Sequence, residues 1–108
     1  MLEKMAITEL NNDNFKSKVE SQEVVLIEFY ADWCNVCKQL IEVLEVVAKE
    51  NSKVKFYKIN TEENKALSRE YRVLSLPTFL VFKNGEMVEK INGFKPKQEI
   101  EQLLEKYI

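Results

Sequence analysis

From Val24 to Ala31 every residue is apolar except Glu28. A run of that length without alternation reads as a central strand buried on both faces, so the rest of the chain has to supply a layer on each side of it. The run leads into Trp33-Cys34-Asn35-Val36-Cys37-Lys38, and from Cys37 onward apolar residues recur at Leu40, Ile41, Leu44, Val47 and Ala48. That spacing is the stripe of a helix packed on a sheet. A buried strand that hands over directly to such a helix is the repeating unit of an α/β fold.

Cys34 and Cys37 are the only cysteines. At the first turn of a helix they meet unsatisfied backbone N–H groups and the positive end of the helix dipole, which together favour a thiolate. Thiolate is the form that attacks disulfides, and a Cys-x-x-Cys beside a strand-helix unit is a redox signal. The competing reading is a packing pair, or half of a shared zinc or iron-sulfur site. Such sites take four ligands, and this chain offers two thiols and no histidine. Glu28 is the other anomaly: a lone acid in an apolar run is either an exposed strand residue or an acid buried for a purpose. Lys58, on the neighbouring strand, is its candidate partner.

Around this junction the remaining elements follow in order. Met5 to Leu10 reads as an edge strand, and Asn11 to Asn14 offer N-caps for a helix through Phe15 and Val19. Val54 to Ile59 is a further strand, and Asn60 to Asn64 precede a short helix through Ala66, Leu67 and Tyr71. Each crossover is long enough to hold a helix, which implies parallel strands. After Leu76-Pro77 the pattern changes: Thr78 to Phe82 and Met87 to Ile91 flank Asn84-Gly85, a hairpin signal. Pro96, read as the first helical position, opens a last helix carrying Ile100, Leu103, Leu104 and Tyr107 on one face.

Length and charge narrow the functional classes. A chain of 108 residues suits one domain spanning residues 1–108 and is too short for two. Sixteen basic against eighteen acidic residues give a net charge of -2 with no basic block, which argues against nucleic acid as a partner. Glu3, Lys4, Glu9, Asp13 and Lys16 interrupt any secretory or membrane-spanning segment, so no membrane association and a cytoplasmic address are expected. In a reducing compartment a lone cysteine pair is expected to cycle, not to staple.

Phe29-Tyr30-Ala31-Asp32-Trp33-Cys34, then Cys37-Lys38, Leu76-Pro77-Thr78, Phe82-Lys83-Asn84-Gly85 and Gly93 ahead of the last helix stand in the order of the thioredoxin family, which the chain resembles over nearly its whole length. The resemblance implies an α/β thioredoxin fold: a central mixed five-stranded sheet flanked by four helices in the order β-α-β-α-β-α-β-β-α. It also implies reduction of protein disulfides by dithiol-disulfide exchange, with Cys34 as nucleophile, Cys37 as resolving thiol and the two together as the redox disulfide. Glu28, linked to Lys58, takes the place of the family's buried acid, which shuttles the proton of the inner thiol. Pro77 becomes the cis-proline facing the disulfide, and the Leu76 backbone pairs with an extended substrate segment. Trp33, Asn35, Val36, Leu76, Pro77, Gly93 and Phe94 form the implied docking surface.

No cofactor and no metal is expected to be bound. The resemblance implies NADPH only indirectly, through a thioredoxin reductase, with disulfide-containing proteins as substrates and a monomer as the working form. A thiol oxidase or isomerase of the same fold is one alternative, and a non-catalytic binding module using the same surface is another. The chain departs from the family pattern at three places. Asn35-Val36 replaces the usual Gly-Pro between the cysteines, Glu28 replaces aspartate, and Glu42 replaces the proline that kinks the active-site helix. Val36, unlike proline, carries an amide N–H, which is expected to reach the Cys34 sulfur and make the pair more oxidising.

Overall fold

The computed structural model describes residues 6–108. Along the chain run β1 (Thr8–Leu10), α1 (Phe15–Glu20), β2 (Val24–Tyr30), α2 (Asn35–Glu50), β3 (Val54–Asn60), α3 (Lys65–Glu70), β4 (Thr78–Lys83), β5 (Glu86–Asn92) and α4 (Lys97–Glu105). The strands form one mixed sheet in the order β1-β3-β2-β4-β5. β3 is parallel to β1 and β2, whereas β4 is antiparallel to β2 and β5. The expected five-stranded fold with four helices is thus the one observed.

β2 lies at the centre because its side chains are apolar on both faces. Val24 and Leu26 point toward Leu40, Leu44 and Val47 of α2 and Ile100 and Leu104 of α4. Val25, Ile27 and Phe29 point the other way, onto Phe15, Val19 and Leu67 of α1 and α3. Each such side chain stabilises the fold by roughly 1.5–3 kcal/mol when fully buried, and β2 shares the work on each face with Phe56, Phe79 and Val81 on one side and Tyr57, Ile59 and Leu80 on the other. The hairpin also forms as expected. Asn84 and Gly85 have φ of 52° and 83°, the positive values that a two-residue turn between twisted strands requires.

Differences from the sequence reading sit at element ends. β2 stops at Tyr30, leaving Ala31 to begin the turn toward the cysteines. Pro96 is the N-cap of α4, not its first helical residue, with ψ of 162° still extended. Tyr71 and Tyr107 fall just past α3 and α4. Terminal turns fray, and periodicity does not locate their last residue. α2 runs unbroken for 16 residues through Glu42. Of the expected edge strand, Met5 lies outside the described residues and Thr8–Leu10 forms the strand, paired only with β3.

Candidate active site

The cysteines take their position from the way the chain leaves β2. Thr61 N–H donates to the Tyr30 carbonyl at 2.8 Å, and Cys34 N–H donates to the Ala31 carbonyl at 3.1 Å, closing a tight turn at the C-terminal end of β2. Cys34 then becomes the N-cap of α2, extended at φ −90° and ψ 102°. Cys37 is the third helical residue, fully buried beneath the first turn, while Cys34 remains 6% exposed. The two are joined by a disulfide with Cα atoms 5.2 Å apart. Cys34 is therefore the less deeply buried of the two.

An N-cap side chain accepts from the second or third helical amide. Here the donor is Cys37 N–H, 3.1 Å from Cys34 Sγ. The expected donor was Val36, one residue earlier. The choice depends on the backbone angles at Cys34, which composition does not specify, so the case for Val36 as the source of a more oxidising pair loses its observed support.

Glu28 lies on the face of β2 that α2 covers, since it alternates in step with Val24 and Leu26. Cys37 is buried with Ala31 and Cys34, against Tyr30 and Leu76, at the C-terminal end of the same strand. The Glu28 side chain is fully buried, and neither carboxylate oxygen has a hydrogen-bond partner. Burial without compensation disfavours the charged form and pushes the Glu28 carboxyl up to about 9, against a smaller opposing pull from Lys58. Lys58 is directly across from Glu28 in the β2–β3 register. Its ammonium lies 5.5 Å from the centre of the Tyr30 ring. Lys58 therefore faces Glu28 as expected, although it does not satisfy the carboxylate through a hydrogen bond.

The second wall of the site comes from the loop before β4. The Leu76–Pro77 peptide bond is cis, and Leu76 packs against Ala31, Cys34 and Cys37. Gly93, with φ of 89°, donates its N–H to the Pro77 carbonyl at 2.7 Å and so brings Phe94 to the same end of the sheet. Trp33 is 67% exposed, Val36 44% and Phe94 41%, values well above those of core side chains. Asn35 is also exposed, on the outer side of the first helical turn. Together they leave an apolar surface around the accessible sulfur.

Three contributing residues escaped the sequence reading. Thr78 is buried, and its hydroxyl lies 2.7 Å from the Ser75 carbonyl and 2.9 Å from Asn92 Oδ1, tying the proline loop to β5. Glu62 accepts from Trp33 Nε1 at 3.3 Å. Tyr30 donates to Glu9 and stacks beneath Lys58. Thr78 and Tyr30 stand within motifs of the sequence that gave them no role of their own, and Glu62 had no signal at all. Among the described residues no cluster of three or more His, Cys, Asp or Glu is arranged to hold a metal ion.

Comparison with known proteins fits this geometry. The thioredoxin family profile matches residues 6–106. Over 105 residues the chain is 40% identical to thioredoxins of Staphylococcus epidermidis and Staphylococcus aureus, covering 96% of this chain and 100% of theirs. A mutant thioredoxin from Halobacterium salinarum NRC-1 superposes with a TM-score of 0.88 at 30% identity, over 99% of this chain and 96% of that one. Thioredoxin from Plasmodium falciparum gives a TM-score of 0.86 at 30% identity, over 94% and 100%. With a disulfide between the two cysteines of its Cys-x-x-Cys and agreement along almost the entire chain, this protein belongs to the thioredoxin family of thiol-disulfide oxidoreductases.

Proposed function

We propose that the chain reduces protein disulfides in the cytoplasm, as a single-domain monomer, with Cys34 attacking and Cys37 resolving. In the reduced form the Cys34 thiolate attacks one sulfur of a substrate disulfide. That bond breaks, the substrate's other sulfur leaves as a thiolate, and a mixed disulfide forms. Cys37 then loses its proton and attacks Cys34 Sγ, expelling the second substrate thiolate. Two electrons have passed to the substrate, and the pair ends as the disulfide seen here. Electrons return from a reductase partner; the specific proposal is a thioredoxin reductase drawing on NADPH, with no cofactor held by this chain.

Glu28 supplies the proton acceptor for the second step in its charged form, the minority form below about pH 9, which is replenished by loss of its proton to water. A carboxyl held at about 9 is, in its charged form, a much stronger base than an ordinary carboxylate, which suits it to take a thiol proton. Lys58 biases Glu28 toward its charged form. Leu76 and Pro77 align an extended substrate segment beside the disulfide, and Trp33, Asn35, Val36, Gly93 and Phe94 cover its apolar side chains. No described helix is long and apolar enough to cross a membrane.

The observation that carries this reading is the asymmetry of the pair: Cys34 at the N-cap of α2, and Cys37 fully buried in its first turn at the end of the strand that carries Glu28. Reduction of insulin by dithiothreitol tests it. The protein should accelerate precipitation of the insulin B chain, and Cys34→Ser should abolish the acceleration. An unchanged rate in that variant would favour a binding module over an enzyme.

A further inference from the structure

Just upstream of the Leu76–Pro77 loop, Lys65, Ser68, Arg69 and Arg72 follow one another at i, i+3, i+4 and i+7, so they share one side of α3 and its C-terminal turn. With Val73 and Leu74 they line a cleft of about 380 Å³. All three of its charged groups are cations. The ion pairs found among the described residues, Lys83–Glu23 and Lys97–Glu50, leave all three out. Glu70, the acid of α3, faces a different cleft alongside Leu67, Tyr71 and α1. The charge on this side is therefore uncompensated within a chain whose net charge is -2.

The turn that shapes this cleft is built at a cost. Arg72 N–H donates to the Arg69 carbonyl at 3.1 Å and Val73 N–H to the Ser68 carbonyl at 2.8 Å, the two bonds of a Schellman turn. Glycine normally fills the left-handed position of that turn; here Arg72 does, with φ of 52°. A non-glycine residue in that conformation is strained by roughly 1 kcal/mol, so the turn holds the Arg72 side chain at a cost. Lys90 Nζ holds the Arg72 carbonyl at 2.7 Å from the neighbouring hairpin. Leu74 then stands 91% exposed, the highest value among the large apolar side chains that are exposed. At about 3.8 Å per residue it is within about 8 Å of Leu76, so the cleft ends next to the loop packed on the disulfide.

We propose that this cleft is a specificity subsite for protein substrates whose cystine is flanked by a leucine-like residue and carboxylates. The apolar side chain covers Leu74 and Val73, and the carboxylates face Lys65, Arg69 and Arg72. The proposal rests on the docking reading of Leu76 and Pro77 given above. Because the cleft is removed from the sulfur atoms, its contacts are the same before and during exchange, so they act on KM and leave kcat alone.

Two cyclic cystine peptides test it, one with Leu and three Glu beside the cystine and one identical except for Gln at the Glu positions. At low salt the Glu peptide should have about fivefold higher kcat/KM, carried by KM, and the advantage should fade above about 0.5 M salt. Arg69→Gln with Arg72→Gly should bring the two peptides level; glycine suits the turn, and activity on the Gln peptide reports that the variant is folded. Lys16→Gln, on α1, should keep the fivefold preference. Equal rates for the two peptides in the parent protein, or a preference that survives in the double variant, would overturn the subsite and leave the reductase reading standing. Failure to reduce either peptide would overturn that reading and the subsite with it.

Discussion

Replacing Glu28 by glutamine tests the burial argument directly, because it keeps the shape and removes the titration. The folded carboxyl is held at about 9, against 4.5 when unperturbed. Below about 4.5 the group is neutral in both folded and unfolded chains, and the stability associated with the raised value is fully present. As pH rises toward 9 the unfolded chain releases a proton that the folded chain keeps, so stability is lost at about 1.36 kcal/mol per pH unit. Above 9 both states are ionised and the loss levels off. Across the three units from pH 5 to pH 8 the loss is about 4 kcal/mol, on the order of 15 °C in Tm for a domain of this size.

Glu28→Gln should therefore resemble the parent protein near pH 5 and exceed it by about 4 kcal/mol at pH 8. Urea denaturation of both proteins at the two pH values, in the oxidised form so that the cysteines do not titrate, measures the difference. All other ionisable groups are shared and cancel. If the gap between variant and parent is the same at both pH values, Glu28 ionises normally in the folded chain, and the account of its burial is wrong.

The same substitution should slow the second phase of exchange by about 10²-fold, the usual size of a positioned acid-base contribution, while sparing the first attack; two unchanged phases in stopped-flow traces would remove Glu28 from the mechanism. Val36→Pro should shift the Cys34 pKa by less than about half a unit, since the amide bonded to the sulfur belongs to Cys37. Ultraviolet thiolate absorbance reads this, and a rise of a full unit would restore the Val36 amide as a donor. Leu40→Ala, at a fully buried position under α2, should cost about 2–5 kcal/mol in denaturant unfolding. Gly85→Ala should cost about 1 kcal/mol. Its φ is 83° and the added Cβ would meet only the Glu20 side chain at 3.5 Å, so the loss is conformational and not a clash.

Sequence alone determined what short-range physics controls. An apolar run from Val24 to Phe29, broken only by Glu28, demands cover on both faces, the stripe from Leu40 to Val47 supplies one cover, and Asn84-Gly85 selects a turn with positive φ. The same local reading located Cys34 and Cys37 at the start of a helix. Tertiary structure alone decided which distant groups meet. The order β1-β3-β2-β4-β5 brings Lys58 into register with Glu28 and joins Gly93 to Pro77. Nothing in the spacing of those residues requires either contact. The sulfur's donor, the tie from Thr78 to Asn92 and the cationic face ending at Arg72 likewise depend on backbone angles and on neighbours remote in sequence. Periodicity records which face of an element is buried, because burial acts residue by residue. The partner on that face is chosen by packing the whole chain at once, and the unpartnered Glu28 carboxylate becomes visible only when every layer around it is in place.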